Sequence, residues 1–142
     1  MAGQPGAILT NSGHVDLSTR VKASSSIVAS PTGATEVTIA TLTISNNLQV
    51  ATGIDLLGWA AFTVGTNGVS VNLKLRQTGT SGTTVAATGA TTATAANLGA
   101  LSVAGLDTSP VLPGQVYVLT MTVASASATS TVSAVYLRAI IV

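Results

Sequence analysis

Cysteine is absent from the 142 residues, so neither disulfides nor thiolate metal centres can hold this chain together. Charge is nearly absent as well. Asp, Glu, Lys and Arg make up 6% of the residues, where a soluble domain devotes about a quarter to them. Aromatic residues reach only 3% and histidine occurs once, which leaves little for stacking platforms or acid-base chemistry. No run approaches the roughly 18 consecutive apolar residues of a membrane-spanning helix, so no membrane partner is expected. The net charge is +1, and the five basic residues Arg20, Lys22, Lys74, Arg76 and Arg138 are dispersed. Neutralising several phosphates takes clustered Lys and Arg, so nucleic-acid binding is excluded as an expectation. A surface this poor in charge is a liability for a free monomer and much less so for a subunit that buries it. Assembly is the first functional inference.

What the chain does contain is Ala, Thr, Ser, Val and Gly, with 46% hydrophobic residues. The length suits one domain, and a fold of about 150 residues buries roughly 68–70% of the surface its unfolded chain exposes. The core is expected to be aliphatic, with Trp59, Phe62, Tyr117 and Tyr136 as isolated large pieces.

Residues 1–26 show no sustained periodicity and contain Gly3, Pro5, Gly6, Asn11, Gly13 and the Ser24-Ser25-Ser26 run, which are turn and loop residues. They read as an extended N-terminal arm preceding a body at 27–142. Fully stretched, such an arm reaches about 85 Å, enough to cross a neighbouring subunit. Ile8, Leu9, Val15, Leu17 and Val21 are its apolar anchors, the candidates for binding a partner. The opening residues lack a basic leader with an apolar stretch, so synthesis in the cytoplasm without export is expected.

From residue 27 onward, short β-type runs alternate with Gly, Pro, Asn and Ser, the pattern of an all-β, antiparallel sandwich of about eight strands. In Val69–Gln77 the apolar Val69, Val71, Leu73 and Leu75 alternate with Ser70, Asn72, Lys74 and Arg76, which places one face on a core. The preceding run at 56–64 is joined to it through Asn67-Gly68, a dipeptide suited to a hairpin turn, so 56–77 is expected to form a hairpin. Leu112-Pro113-Gly114-Gln115 carries the residues of a type II turn, and a strand is expected directly after it. The runs 116–124 and 132–142 read as a terminal hairpin, the second apolar on both faces and so in need of a second cover. Weaker strands are expected at 26–30, 36–44, near 48–54, 83–88 and 98–105. Residues 89–97 fit a loop or an edge strand equally.

Candidate chemistry is thin. Asp16, Glu36, Asp55 and Asp107 with His14 form most of the acid-base inventory, and no spacing forces two carboxylates together. They read as solvated surface groups. His14-Val15-Asp16 could offer two ligands on one side of an extended segment, too few for a structural metal site. No Gly-x-Ser-x-Gly elbow and no second histidine support a nucleophilic serine, so no enzyme activity, cofactor or metal is expected. Lys74 and Arg76 share the polar face of one strand and are candidates for polar contacts with a partner. Trp59, set among Leu56, Leu57, Ala60 and Ala61, reads as a core residue before it reads as part of a sugar-stacking platform with Phe62.

The N-terminal arm, then GWAAFTVGTNGVSVNLKLRQTGTSGTTVAATG, and finally PVLPGQVYVLTMTVASASATSTVSAVYLRAIIV give an order that resembles the small jelly-roll or tumour-necrosis-factor-like modules of tailed-bacteriophage virion proteins. The resemblance covers about residues 36–142 and rests on pattern. It implies a homotrimeric head-decoration (cement) protein on the capsid exterior, with a major capsid protein as partner and the arm tying neighbouring capsomers together. The same fold would serve a receptor-binding fibre or spike tip through residues 78–82 and 89–97, a carbohydrate-binding sandwich, or a coat subunit that assembles alone.

Overall fold

A computed structural model describes residues 20–45, 52–125 and 128–142. The described residues form nine strands: β1 (Val21–Ser24), β2 (Val37–Ile44), β3 (Ile54–Val64), β4 (Val69–Gln77), β5 (Thr84–Ala87), β6 (Thr91–Ala93), β7 (Gly99–Asp107), β8 (Gln115–Val123) and β9 (Ser130–Ile141). They make two sheets, one in the order β1-β9-β3-β7 and the other β2-β8-β4-β5, with β6 pairing alongside β5 on the same edge of β4. Every strand pair is antiparallel. With β5 and β6 taken as two halves of one edge strand, successive strands alternate between the sheets except at the β4–β5 turn. That alternation is the jelly-roll arrangement of a β-sandwich.

The topology overturns both expected hairpins. β3 pairs with β7 and β9, while β4 pairs with β8, β5 and β6, so the segment at 65–68 crosses between sheets. Gly68 does take the positive φ (72°) that the Asn-Gly pair foretold, but the chain uses it to change layer. β8 and β9 likewise belong to opposite sheets. At 112–115, Gly114 has the expected positive φ of 96°, whereas the Leu112–Pro113 peptide is cis and so departs from a type II turn. β8 begins at Gln115, directly after it.

Other differences are local. Residues 26–30 form no strand; Val28 N donates to Ile39 O (2.9 Å) outside any ladder. Residues 21–24, expected within the arm, are an edge strand whose Val21 and Ser24 lie opposite Ile140 and Leu137 of β9. The stretch 89–97 contains the short edge strand β6. The expected piece near 48–54 lies partly outside the described residues, and Ile54 opens β3.

The core lies between the sheets. Leu56 and Phe62 of β3 and Leu137 and Ile141 of β9 face Leu73 and Leu75 of β4 and Tyr117, Leu119 and Met121 of β8, all essentially inaccessible. Gly58 allows the layers a close approach, because a Cβ there would lie 2.5 Å from Leu119 Cδ1. A bulge between Ala61 and Phe62 skips Ser133 in the β3–β9 register. It turns both Val132 and Val135 inward, which alternation alone does not permit.

Candidate assembly face

Antiparallel pairing sets the side chains of directly opposed residues on the same face of a sheet. The outer face of the β1-β9-β3-β7 sheet can therefore be read row by row. Val21, Ile140, Asp55 and Leu106 form one row; Ala23, Arg138, Leu57 and Ala104 form the next. Tyr136, Trp59 and Ser102 follow, then Ala134, Ala61 and Ala100. All but Asp55, Arg138 and Ser102 are apolar or aromatic. Leu106 is 54% exposed, Val142 42%, Tyr136 38% and Trp59 36%. Leu106 and Val142 converge over Gly53, whose Cβ would touch both.

This placement corrects one sequence expectation. Trp59 is on the outer face beside Tyr136, not in the core; only Phe62 is buried, at 3%. The apolar outer row of β9 has no full cover among the described residues, since Tyr136 is exposed and Ile140 half-buried, in keeping with a strand whose second apolar face needs a cover of its own. The Trp59 misplacement has a plain cause: β3 is apolar on both faces, so its alternation marks two faces without saying which is the core.

The opposite outer face has different chemistry. On β2-β8-β4 its rows carry Thr38, Thr41, Thr43 and Thr122 with Ser70, Asn72, Lys74 and Arg76, around the buried Thr120 and Val118 and the half-buried Val116. Glu36 anchors it. Its carboxylate accepts from Arg76 Nε (2.5 Å) and Nη2 (2.9 Å), Lys74 Nζ (3.1 Å) and Thr120 Oγ1 (2.6 Å). Burial alone would raise the Glu36 pKa, but the donors from Arg76, Thr120 and Lys74 outweigh it and bring the value to about 2. Glu36 answers the Arg76 guanidinium in turn and holds its pKa up. Arg76 Nη1 also donates to Gly82 O (2.8 Å), pinning the 78–82 loop. Lys74 and Arg76 thus find their first carboxylate within the chain.

A second acid is more deeply placed. Asp107, at the end of β7, is 6% exposed. Its Oδ2 accepts from Tyr117 Oη (2.6 Å) and Gln77 Nε2 (2.6 Å), and its Oδ1 accepts from Ser109 N (3.0 Å). Burial pushes its pKa up, yet the bonds from Tyr117, Ser109 and Gln77 leave it below the ordinary carboxylate value. Tyr117 is driven well above its ordinary value by burial and by the same carboxylate. Because β7 lies in one sheet and β4 and β8 in the other, this cluster is a polar clamp across the sandwich. Neither Glu36 nor Asp107 is the solvated surface group that the sequence suggested. Asp55 is half-buried on the apolar face.

Among the described residues no three His, Cys, Asp or Glu side chains converge as a metal site. An open depression of about 240 Å³ is lined by Thr63, Val64, Gly65, Ala95, Ala96 and Thr129–Thr131 and contains no titratable side chain. Another, of about 310 Å³, includes Asp107, whose oxygens are already occupied. His14, Asp16, Ile8, Leu9, Val15 and Leu17 lie outside the described residues. Val21, the last arm anchor, sits at the β1 edge of the apolar face.

No protein-family model and no curated protein sequence matches the chain. Among solved structures it is similar to that of infectious bursal disease virus Gx strain, with TM-score 0.60 and 15% identity over 85% of this chain and 32% of that one. The VP2 subviral particle of the same virus gives TM-score 0.59 and 14% identity, over 86% and 33%. The T=1 particles derived from that virus give 0.58 and 14%, over 86% and 31%. The chain spans about a third of the length of these proteins. At this identity the likeness establishes a shared β-sandwich fold.

Proposed function

We propose that this chain is a structural protein of a virus particle, and within that role a decoration or cement subunit on the outside of a shell. The observation that carries the reading is a jelly-roll body with one outer sheet face left apolar, in a fold it shares with viral particle proteins. A cement function needs no reacting group. It needs buried area across subunit boundaries, which raises the work required to separate capsomers against internal pressure. A standard interface of about 1,600 Å², a little over half apolar, supplies on the order of 20 kcal/mol of gross hydrophobic stabilisation before association costs.

In this reading the bodies associate, as a homotrimer in the arrangement that the phage resemblance implies, and the N-terminal arm engages the major capsid protein through Ile8, Leu9, Val15 and Leu17. The arm leads directly into β1, at the edge of the apolar sheet. A tether and a body contact acting together bind far more tightly than either alone. Removing residues 1–19, which stops short of β1, is therefore expected to leave the melting temperature of the body nearly unchanged and to lower occupancy on purified particles about tenfold or more. Quantitative gel or mass-spectrometric occupancy after washing measures it. Full occupancy of the truncated chain would remove the arm from the account.

A further inference from the structure

The two outer faces of the sandwich differ in how their charges are satisfied. On the β2-β8-β4 face, Lys74 and Arg76 are matched by Glu36. On the β1-β9-β3-β7 face, one acid and one base stand in an apolar field, and no described residue gives either an ion-pair partner. Asp55 lies opposite Ile140 and Arg138 opposite Leu57, which makes the two diagonal neighbours on adjacent strands. The Arg138 Nε is buried and has no hydrogen-bond partner. A charged guanidinium half-withdrawn from water without a counter-ion is costly, and a carboxylate arriving from outside the chain would pair with its charge.

We propose that this face packs against the same face of a second copy, with Asp55 of each chain opposite Arg138 of the other. A face that bears a single acid and a single base is complementary to itself. A twofold axis running between the facing sheets, perpendicular to the line from Asp55 to Arg138, places each group over its opposite and satisfies both pairs at once. The apolar rows then supply the contact, with Trp59 and Tyr136 as the large side chains of the kind that dominate interface energetics.

The area is adequate. Four strands about 4.8 Å apart and seven residues at about 3.3 Å each give a face of about 450 Å² in projection. Two such faces remove about 900 Å², and side-chain relief with the Leu106–Val142 rim brings the total to the roughly 1,000 Å² that a specific contact requires. Sheets stacked face to face at about 10 Å are an ordinary packing.

The inference deepens the assembly reading by naming a contact within it. A twofold contact joins two chains directly, or two trimers across a shell, and both give an even number of copies. Light scattering on the purified full-length chain is expected to give an even multiple of the chain mass. Trp59→Lys and Ala104→Lys, the second on the exposed edge strand β7, are each expected to halve that mass or weaken association about tenfold or more, with the circular-dichroism spectrum unchanged. Asp55→Arg and Arg138→Asp should each weaken association, because like charges then face each other. The double variant should return to within about threefold of the original affinity.

A monomer or a bare trimer at all concentrations would overturn the proposal. So would lysine variants that associate normally, a double charge swap no better than either single one, or a monomer that binds a glycan through Trp59. These outcomes concern the face and leave the particle role to be decided separately by occupancy.

Discussion

Replacing Asp107 with Ala is expected to lower the stability of the body by about 3 kcal/mol, the largest effect foreseen for any polar side chain here. Three donors converge on this carboxylate, and two of them, Tyr117 and Gln77, come from the opposite sheet. Tyr117 is fully buried. Once Asp107 is truncated, its hydroxyl faces a void with no acceptor, and a buried donor left without a partner costs about 1–3 kcal/mol by itself. The lost charge-assisted bonds from Gln77 and Ser109 add to this. For a chain of this size the loss corresponds to a fall in melting temperature of about 10 °C. Tyr117→Phe should cost less, since Asp107 keeps its other two donors. A double-mutant cycle between positions 107 and 117 should return a coupling of about 1 kcal/mol or more. A melting temperature unchanged by Asp107→Ala would show that the clamp contributes nothing.

The second large effect is on pH. Glu36 has an ordinary value of 4.5 and sits at about 2 in the folded chain. Above pH 4.5 the carboxylate is ionised in both folded and unfolded states, and its stabilisation is complete. As pH falls below 4.5 the unfolded chain takes up the proton first, so stability declines. Below about 2 the folded carboxyl is protonated too and the contribution is gone. The shift corresponds to about 3 kcal/mol lost across that window, an upper figure because the pairs retain some solvent access. Asp107, whose pKa is also depressed, acts in the same direction. Urea midpoints between pH 6 and pH 2 should therefore fall, and Glu36→Gln should flatten the profile while lowering the plateau at pH 6. The plateau falls because Lys74 and Arg76 then face each other without their anion. A Glu36→Gln profile parallel to that of the unaltered chain would assign the acid sensitivity elsewhere.

The strands themselves were legible in the sequence, and their partners were not. Alternation in Val69–Gln77 and the β-rich composition of 116–124 and 132–142 depend only on neighbouring residues, and each run is a strand. Pairing depends on the whole fold. Asn67-Gly68 carries the local chemistry of a hairpin turn, and Gly68 has the conformation that this chemistry predicts. Yet the ladder energy of β3 is realised with β7 and β9, both far along the chain. Turn residues report backbone conformation, and they do not report which sheet the next strand joins.

The same limit explains the functional residues. Asp107 and Tyr117 are ten residues apart, on strands of different sheets, and no spacing rule links them. Glu36 meets Arg76 from forty residues away. One signal could have been used: Lys74 and Arg76 share a strand face, which calls for a carboxylate opposite, and Glu36 immediately precedes β2, the strand two places across the sheet. Trp59 was misplaced because Leu57, Trp59 and Ala61 are as apolar as Leu56, Ala60 and Phe62. A strand that is apolar on both faces is itself the sequence mark of a second covered surface, and that part of the reading agrees with the apolar face described above.

The most direct test of the central claim is the copy number of this chain relative to the most abundant shell protein in purified particles from its source, by quantitative mass spectrometry. A decoration subunit should be present in hundreds of copies, near parity with the shell protein. A handful of copies would contradict decoration in favour of a fibre or spike, and absence from every particle would contradict the virion role altogether.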